Sequence, residues 1–219
     1  MRLFIDSALP KKWTPYAEAG LIHGVTTNPS IFRKENISFS AASYTSLIHE
    51  ARAMGLEELQ LQVTETSIPR QAVSNFMRFF EQWPEGIIAK IPFTKTTLEI
   101  LSLLPREVPI TFTTGYSIEQ AVIARAKNAR YIAPYYGRIL EQGKPADAIV
   151  DSMLNICKPH TRVLIASIRN TSQIHELASR GHDTFTLSAE LISSLFHNEL
   201  SEHATAEFEA AAQGQLSKN

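Results

Sequence analysis

The sequence has little of what marks secreted and membrane proteins. Its 219 residues include one cysteine, Cys157, so an internal disulfide framework is excluded and a reducing, cytoplasmic location is expected. It contains no apolar run close to the roughly 20 residues that a membrane-spanning helix needs. An acidic residue, Asp6, interrupts the apolar N-terminal stretch, which argues against a secretory signal peptide.

Neither sign of charge is in excess, and metal-ligand patterns are lacking. The chain carries 21 Lys and Arg residues and 22 Asp and Glu residues, which gives a net charge of −1. Without a basic stripe or tail we expect no nucleic-acid partner, and any anionic ligand has to be held by a few local cations. The seven histidines are scattered, with no pair spaced four residues apart, so we expect no metal and no other cofactor.

The sequence does have a regular alternation of strand-like and helical segments. The eight strand-like runs are Leu3–Asp6, Gly24–Thr27, Leu59–Thr64, Ile87–Ile91, Pro109–Thr113, Arg130–Tyr135, Arg162–Ser167 and Asp183–Ser188. Such alternation favours a parallel sheet closed into an α/β barrel of the (β/α)8 type, for which about 200 residues is the lower limit. A doubly wound open sheet is the alternative, but no glycine-rich phosphate motif follows the first run.

The predicted helices include one more than a barrel requires. Those with clear helical spacing cover residues 41–53, 69–83, 117–127, 145–157, 170–180 and 189–197, and residues 28–40 are predicted to form a long loop. We therefore predict a barrel domain over residues 1–200. The remainder, residues 201–219, comprises a helix over Glu202–Ala212 and a polar tail, and we expect this helix to pack on a neighbouring subunit of a homo-oligomer.

A lysine, Lys90, stands near the end of the fourth predicted strand, in the segment IIAKIP. The alternation of side chains along a strand places Lys90 inside the barrel. The last inward residues of five other strands are also polar: Asp6, Gln62, Thr113, Tyr135 and Ser167. Because catalytic groups of such barrels lie at the C-terminal ends of strands, we expect these side chains to meet at one mouth.

The surroundings of Lys90 suggest a chemical role for it. An amine in apolar surroundings is desolvated, which favours its neutral, nucleophilic form. Such an amine can attack a carbonyl group and form a Schiff base, which then acts as an electron sink for breaking or forming the adjacent carbon–carbon bond. The alternative is a buried ion pair between Lys90 and Asp6 without a catalytic function.

The chain contains the segments FIDSA, GVTTNPSIF, IIAKIP, YIAPYYGRI and IASIRN. These segments resemble the small transaldolase and fructose-6-phosphate aldolase family, and the resemblance covers nearly the whole chain in order. The resemblance implies a class I mechanism in which Lys90 forms a Schiff base with a dihydroxyacetone unit taken from a sugar phosphate. It implies that Asp6 and Tyr135 handle protons. It also implies rings of five subunits, stacked as a decamer.

The resemblance implies roles for the other predicted site residues. Gln62 and Thr113 would position the catalytic water. The predicted substrate-binding residues are Thr27, Asn28, Ser167, Arg138 and Arg169. Among these, Asn28 and Ser167 would bind hydroxyl groups of the three-carbon unit, and the two arginines would bind the phosphate of the substrate.

The two branches of the family are both represented in the motifs. Transaldolases carry a glutamate in place of Gln62 and a phenylalanine in place of Tyr135, so these positions favour an aldolase that cleaves or forms fructose 6-phosphate. The segments GRI and SIRN, which contain Arg138 and Arg169, resemble transaldolases. A transaldolase, a variant that uses a sulfonated sugar and a catalytically silent barrel therefore remain as alternatives, although the intact Asp6, Lys90, Tyr135 and Gln62 argue against the last.

Overall fold

The computed structural model describes residues 1–213, which contain a barrel of eight parallel strands. The strands are β1 (Arg2–Asp6), β2 (Gly24–Thr26), β3 (Glu58–Gln62), β4 (Ile87–Pro92), β5 (Ile110–Gly115), β6 (Tyr131–Pro134), β7 (Arg162–Val163) and β8 (Thr184–Leu187). Each strand pairs with its neighbour in the chain, and β1 also pairs with β8. The last gap is closed just beyond β7, where the amide of Ile165 donates to the carbonyl of Thr184 at 2.9 Å. The predicted (β/α)8 barrel is confirmed.

Helices cover the outside of the barrel. They are α1 (Pro10–Glu18), α2 (Pro29–Lys34), α3 (Ala41–Ala53), α4 (Pro69–Phe80), α5 (Thr97–Leu103), α6 (Ile118–Ala126), α7 (Tyr136–Glu141), α8 (Ala146–Cys157), α9 (Thr171–Ser179), α10 (Ala189–Ser194) and α11 (Glu199–Ala212). None of the helices within residues 1–213 is long and apolar enough to span a membrane.

The short helix α2 lies where the sequence predicted only a loop over residues 28–40, and that prediction was wrong in this part. Asn28 caps the helix, because its side-chain oxygen accepts hydrogen bonds from the amides of Ser30 at 2.9 Å and Ile31 at 3.1 Å. Proline at the first helical position lacks the amide that would otherwise need a partner. Phe32 is fully buried and anchors the helix to the core.

Two clusters of buried side chains form the core of the protein. The larger set lies between the strands and the helices, and a small cluster of Phe4, Tyr131, Ala133 and Leu164 fills the inside of the barrel. The sequence predicted that Val163, Ile165 and Ser167 of the seventh strand point into the barrel. That prediction was wrong for Val163 and Ile165, which belong to the outer set, while Leu164 points inward. Regular alternation ends at Ser167, whose left-handed backbone (φ 64°) changes the direction of its side chain.

The C-terminal helix α11 packs only loosely against the barrel. None of its residues is buried, and Leu200 and Phe208 remain 82% and 70% exposed. The helix begins three residues earlier than predicted, at Glu199, because the side chain of Asn198 accepts a hydrogen bond from the amide of Ser201 at 3.0 Å. Most of the predicted polar tail lies outside the described residues.

Candidate active site

A pocket of about 210 Å³ opens at the C-terminal ends of the strands, and we call it the lysine pocket. Seven of the ten predicted site residues line it: Asp6, Asn28, Lys90, Tyr135, Arg138, Ser167 and Arg169. The other lining residues are Ser30, Ile31, Lys34, Ala133, Leu164, Ala166 and Thr186. Side chains from strands and loops far apart in the sequence therefore meet at one end of the barrel.

Lys90 is held at the inner end of this pocket without a paired carboxylate. Its side chain extends from β4, the residue is 5% exposed, and its amine donates a hydrogen bond to the carbonyl oxygen of Thr27 at 2.9 Å. Within residues 1–213, ion pairs shorter than 4.0 Å do not include Lys90. An inert ion pair with Asp6, the alternative raised by the sequence, is thus not the arrangement found.

Asp6 lies in the same pocket at the end of β1. Its Oδ1 accepts a hydrogen bond from the hydroxyl of Thr26 at 2.6 Å, and that hydroxyl also contacts the hydroxyl of Thr186 at 2.5 Å. Burial raises the pKa of Asp6 above its ordinary value of 3.8, although the positive charge of Lys90 and the hydrogen bond from Thr26 act in the opposite direction. A carboxylate with a raised pKa is a stronger base, which suits a group that accepts a proton during a reaction.

Tyr135, the residue that follows β6, lines the pocket. The hydroxyl of Thr113 donates a hydrogen bond to the oxygen of Tyr135 at 3.2 Å. Because the oxygen is the acceptor in this contact, the proton of Tyr135 is left for another partner. The guanidinium carbon of Arg138 lies 4.9 Å from the centre of the Tyr135 ring, so the arginine stacks over the ring that carries this hydroxyl.

Two polar side chains of the pocket have unused hydrogen-bonding capacity. The hydroxyl oxygen of Ser167 is buried without a hydrogen-bond partner, and the residue has φ 64°, an uncommon value outside glycine. An unpaired buried hydroxyl costs about 1–3 kcal/mol, and strained backbone is concentrated at functional sites. Asn28 uses its side-chain oxygen to cap α2, which leaves its amide NH2 for a ligand.

The two arginines reach the pocket from neighbouring segments. Gly137 allows the segment that carries Arg169 to approach closely, because a Cβ there would clash with the carbonyl oxygen of Ser167 and crowd the side chain of Arg169. Arg169 donates to one oxygen of Glu141 from Nε at 3.1 Å and from Nη2 at 2.9 Å. Both partners are more than half exposed, so this ion pair is weak and can open for a ligand.

The remaining three predicted residues lie next to the pocket without lining it. Thr113 contacts Tyr135, and Thr27 contributes its carbonyl oxygen to Lys90 while its hydroxyl is fully buried. Gln62 is half-buried on β3, opposite Lys90 in the strand register. The positions of these three residues are compatible with positioning roles, which remain predictions.

Four polar residues that line or support the pocket were not predicted from the sequence. Thr26 and Thr186 are inward residues near the ends of β2 and β8, so the alternation used for the other strands could have found them. Ser30 and Lys34 lie on α2, and they were missed because that helix was predicted to be a loop.

A second cavity of about 560 Å³ adjoins the first, and we call it the side pocket. The two pockets share Asp6, Ile31, Lys34, Ser167, Arg169 and Thr186. Pockets that bind a whole small molecule usually measure roughly 300–1,000 Å³, so the lysine pocket suits a fragment and the side pocket can take the rest of a longer ligand. Residues 1–213 contain no cluster of histidine, cysteine or acidic side chains suited to a metal ion.

The fold and this pocket define a (β/α)8 barrel with a polar, cation-rich site at the C-terminal ends of its strands, the position of active sites in barrel enzymes. The model of the family described as Transaldolase/Fructose-6-phosphate aldolase matches residues 3–219. The chain belongs to this family, and it is an enzyme of the transaldolase type.

The relatives found by sequence are distant but match the full chain. A "Probable transaldolase" of Methanococcus maripaludis strain C7 is 25% identical, and the match covers 100% of both chains. One of Dehalococcoides mccartyi is 28% identical over 96% of this chain and 97% of its own length. One of Lactiplantibacillus plantarum is 27% identical over 95% of this chain and 94% of its own length.

Solved structures show the same fold with little sequence similarity. A mutant tryptophan synthase alpha-subunit from Pyrococcus furiosus is 12% identical, with a TM-score of 0.63 over 86% of each chain. A HpcH/HpaI aldolase/citrate lyase family protein from Burkholderia cenocepacia J2315 is also 12% identical, with a TM-score of 0.61 over 95% of this chain and 94% of its own. At this level of identity the similarity concerns the barrel alone.

Proposed function

We propose that this protein is a class I aldolase that cleaves or forms fructose 6-phosphate from dihydroxyacetone and glyceraldehyde 3-phosphate. One observation carries the proposal: Lys90 is a buried residue, 5% exposed, whose amine forms no ion pair shorter than 4.0 Å within residues 1–213 and which shares its pocket with Asp6 and Tyr135. A nucleophile, a base and a proton donor are the three groups that Schiff-base cleavage of a carbon–carbon bond needs.

The proposed reaction steps assign one role each to Lys90, Asp6 and Tyr135. The amine of Lys90 attacks the ketone carbon of the sugar, and loss of water gives an iminium ion. Asp6 takes the proton from the hydroxyl on the fourth carbon, the bond between the third and fourth carbons breaks, and its electron pair moves into the iminium. The aldehyde leaves. Tyr135 then supplies a proton to the remaining carbanion, and water hydrolyses the iminium to release dihydroxyacetone and the free amine of Lys90. Transfer of the proton held by Asp6 back to Tyr135 restores both groups for the next turnover.

The charges around the pocket support an anionic substrate. Four cationic side chains and one carboxylate line the lysine pocket, although the whole chain has a net charge of −1. A local excess of positive charge attracts and orients anions such as a sugar phosphate. Arg138 and Arg169 are the predicted phosphate ligands, and a sulfonate, which has a similar shape and charge, is the variant that the same arginines could bind.

Transfer of the three-carbon unit between sugar phosphates is the second candidate function. The relatives reported above bear the name probable transaldolase, and the side pocket has room for an acceptor sugar beside the lysine pocket. A transaldolase keeps the carbanion until the acceptor arrives, whereas an aldolase protonates it. Tyr135, a pocket residue whose hydroxyl can supply that proton, favours the aldolase.

The Schiff base can be tested directly by reduction. Treatment with sodium borohydride in the presence of dihydroxyacetone is expected to attach a stable three-carbon adduct to Lys90, which peptide mass spectrometry would locate. Samples without dihydroxyacetone, or without borohydride, should give no adduct. Full activity of an enzyme that is never modified at Lys90 under these conditions would contradict the mechanism.

We also propose that the chain assembles as a homo-oligomer, in rings of five that stack as a decamer. The exposed Leu200 and Phe208 of α11, with the nearby Phe196 at 68% exposed, need a covering surface that the barrel does not offer.

Removal of α11 is expected to lower the assembly state. A chain that ends at Asn198 should sediment as a smaller species than the full chain in analytical ultracentrifugation, because the apolar residues of α11 would no longer bridge subunits. Circular dichroism of the shortened chain would verify that the barrel is intact. A full chain that sediments as a monomer at micromolar concentration would contradict the proposed assembly.

A further inference from the structure

We propose that Lys34 is a specificity-determining residue that binds the anionic group of the substrate together with Arg169. The proposal rests on the proposed function, since it names the residue that would recognise the anion at the same site.

Lys34 lies at the junction of the two cavities. It lines both the lysine pocket and the side pocket, and the only other cation within residues 1–213 that does so is Arg169. Arg138 lines the lysine pocket alone, and Lys12 lines the side pocket alone. An anion bound at the opening between the pockets would therefore face Lys34 and Arg169 together.

Lys34 forms no close ion pair with an acidic side chain of the described residues. Within residues 1–213 it takes part in no ion pair shorter than 4.0 Å, whereas Lys12 is paired with Glu35 at 3.2 Å and with Glu190 at 3.1 Å. Arg169 is paired with Glu141 at 2.9 Å. The junction is lined by Lys34, Arg169 and the carboxylate of Asp6, and of the two cations Lys34 is the one that forms no close ion pair within residues 1–213.

The helix that carries Lys34 is held in place by an N-terminal cap and a buried side chain. The Asn28 cap begins α2, and the fully buried Phe32 anchors it one turn later. Lys34 is the last residue of this helix, and the adjacent Arg33 is exposed and lines neither pocket. The competing interpretation is that Lys34 is an ordinary solvated cation. The adjacent Arg33 is such a cation and serves as a matched comparison.

The test compares Lys34→Gln with Arg33→Gln, which removes the same charge from the neighbouring residue. The probe is glycerol 3-phosphate, which has a phosphate but no carbonyl group and so cannot form a Schiff base. Isothermal titration calorimetry is expected to show binding to the unmodified enzyme and a roughly ten- to hundredfold loss in Lys34→Gln, because a charge-assisted hydrogen bond is removed. Arg33→Gln should bind within about twofold of the unmodified enzyme, since surface charges at a distance are screened.

Two results would overturn the proposal. One is equal binding by Lys34→Gln and the unmodified enzyme, and the other is no binding of glycerol 3-phosphate by the unmodified enzyme at millimolar concentration. Lys34→Glu, with the sign of the charge reversed, should bind still more weakly than Lys34→Gln. Circular dichroism would verify the fold of each variant, and Lys34 is exposed, so its replacement leaves no cavity.

Failure of this proposal can be told apart from failure of the proposed function. Dihydroxyacetone has no phosphate, so borohydride should trap it on Lys90 equally well in Lys34→Gln and in the unmodified enzyme. An adduct in both proteins together with unchanged phosphate binding would refute the role of Lys34 alone. Absence of the adduct from the unmodified enzyme would refute the Schiff base, whatever the calorimetry shows.

Discussion

Lys90→Met is expected to lower kcat for cleavage of fructose 6-phosphate by on the order of 10⁴-fold or more, because it removes the nucleophile itself. Lys90 is the only buried lysine within residues 1–213, whereas the other lysine that lines the pocket, Lys34, is exposed and extends from α2 at its opening, so we do not expect it to replace the buried nucleophile. Methionine has a similar length and fits beside the apolar Ala133 and Leu164. The barrel is therefore expected to stay folded.

Lys90→Met has two opposing effects on the stability of the folded protein. The carbonyl of Thr27 loses the hydrogen bond from the amine, and an unpaired buried acceptor costs about 1–3 kcal/mol. Removal of a buried ammonium relieves its desolvation, which acts in the other direction. We expect the melting temperature of Lys90→Met to remain close to that of the unmodified enzyme when both are measured by circular dichroism.

A matched control comes from the same segment of the chain. Lys95 follows β4, is exposed and lines neither pocket, so Lys95→Met should keep normal turnover. If Lys90→Met is folded and retains a tenth of the turnover, Lys90 is not the Schiff-base residue and the mechanism proposed here is wrong.

The fold could be predicted from the sequence where side chains alternate regularly along the strands and where strands and helices alternate regularly along the chain. Side chains alternate strictly along β1, β4 and β6, so the inward positions of Asp6, Lys90 and Tyr135 could be predicted and are found. The barrel itself follows from eight repeats of a strand and a helix. Parallel strands joined by helices have few other ways to bury both faces of their sheet.

The incorrect predictions concern segments whose backbone departs from those patterns. Ser167 adopts a left-handed conformation, and the close approach of its carbonyl to Gly137 is a tertiary contact, so counting alternate residues gave the wrong orientation for β7. The helix α2 has only six residues, too few for an apolar period to be recognised, and Lys34 was missed with it. Whether a cation such as Arg169 is paired also depends on neighbours that the sequence alone does not bring together.

The choice between an aldolase and a transaldolase depends on Tyr135 and Gln62. If the hydroxyl of Tyr135 protonates the carbanion, the unmodified enzyme should release free dihydroxyacetone from fructose 6-phosphate with no acceptor sugar present. Thr113 donates to this hydroxyl oxygen, which leaves the tyrosine proton available for the carbanion. A coupled assay for dihydroxyacetone would measure the release.

Tyr135→Phe is a selective test because it removes the hydroxyl and keeps the ring. The ring still supports the guanidinium of Arg138, so binding of the phosphate should change little. The release of dihydroxyacetone should slow by roughly 10²–10⁴-fold, the usual contribution of a general acid, while borohydride still traps the Schiff base on Lys90. Tyr136→Phe is the control, since the neighbouring tyrosine binds Asp147 at 2.8 Å and lines neither pocket.

The double variant Gln62→Glu with Tyr135→Phe should shift the balance from release toward transfer. Gln62 lies opposite Lys90 on the adjacent strand, where a neutral amide can orient a water without taking its proton, whereas a carboxylate can hold and move one. Without the phenol the carbanion persists until an acceptor aldehyde arrives, so exchange between fructose 6-phosphate and erythrose 4-phosphate should rise relative to release. If the unmodified enzyme already exchanges the three-carbon unit and releases no dihydroxyacetone, the aldolase proposal is wrong and the enzyme is a transaldolase.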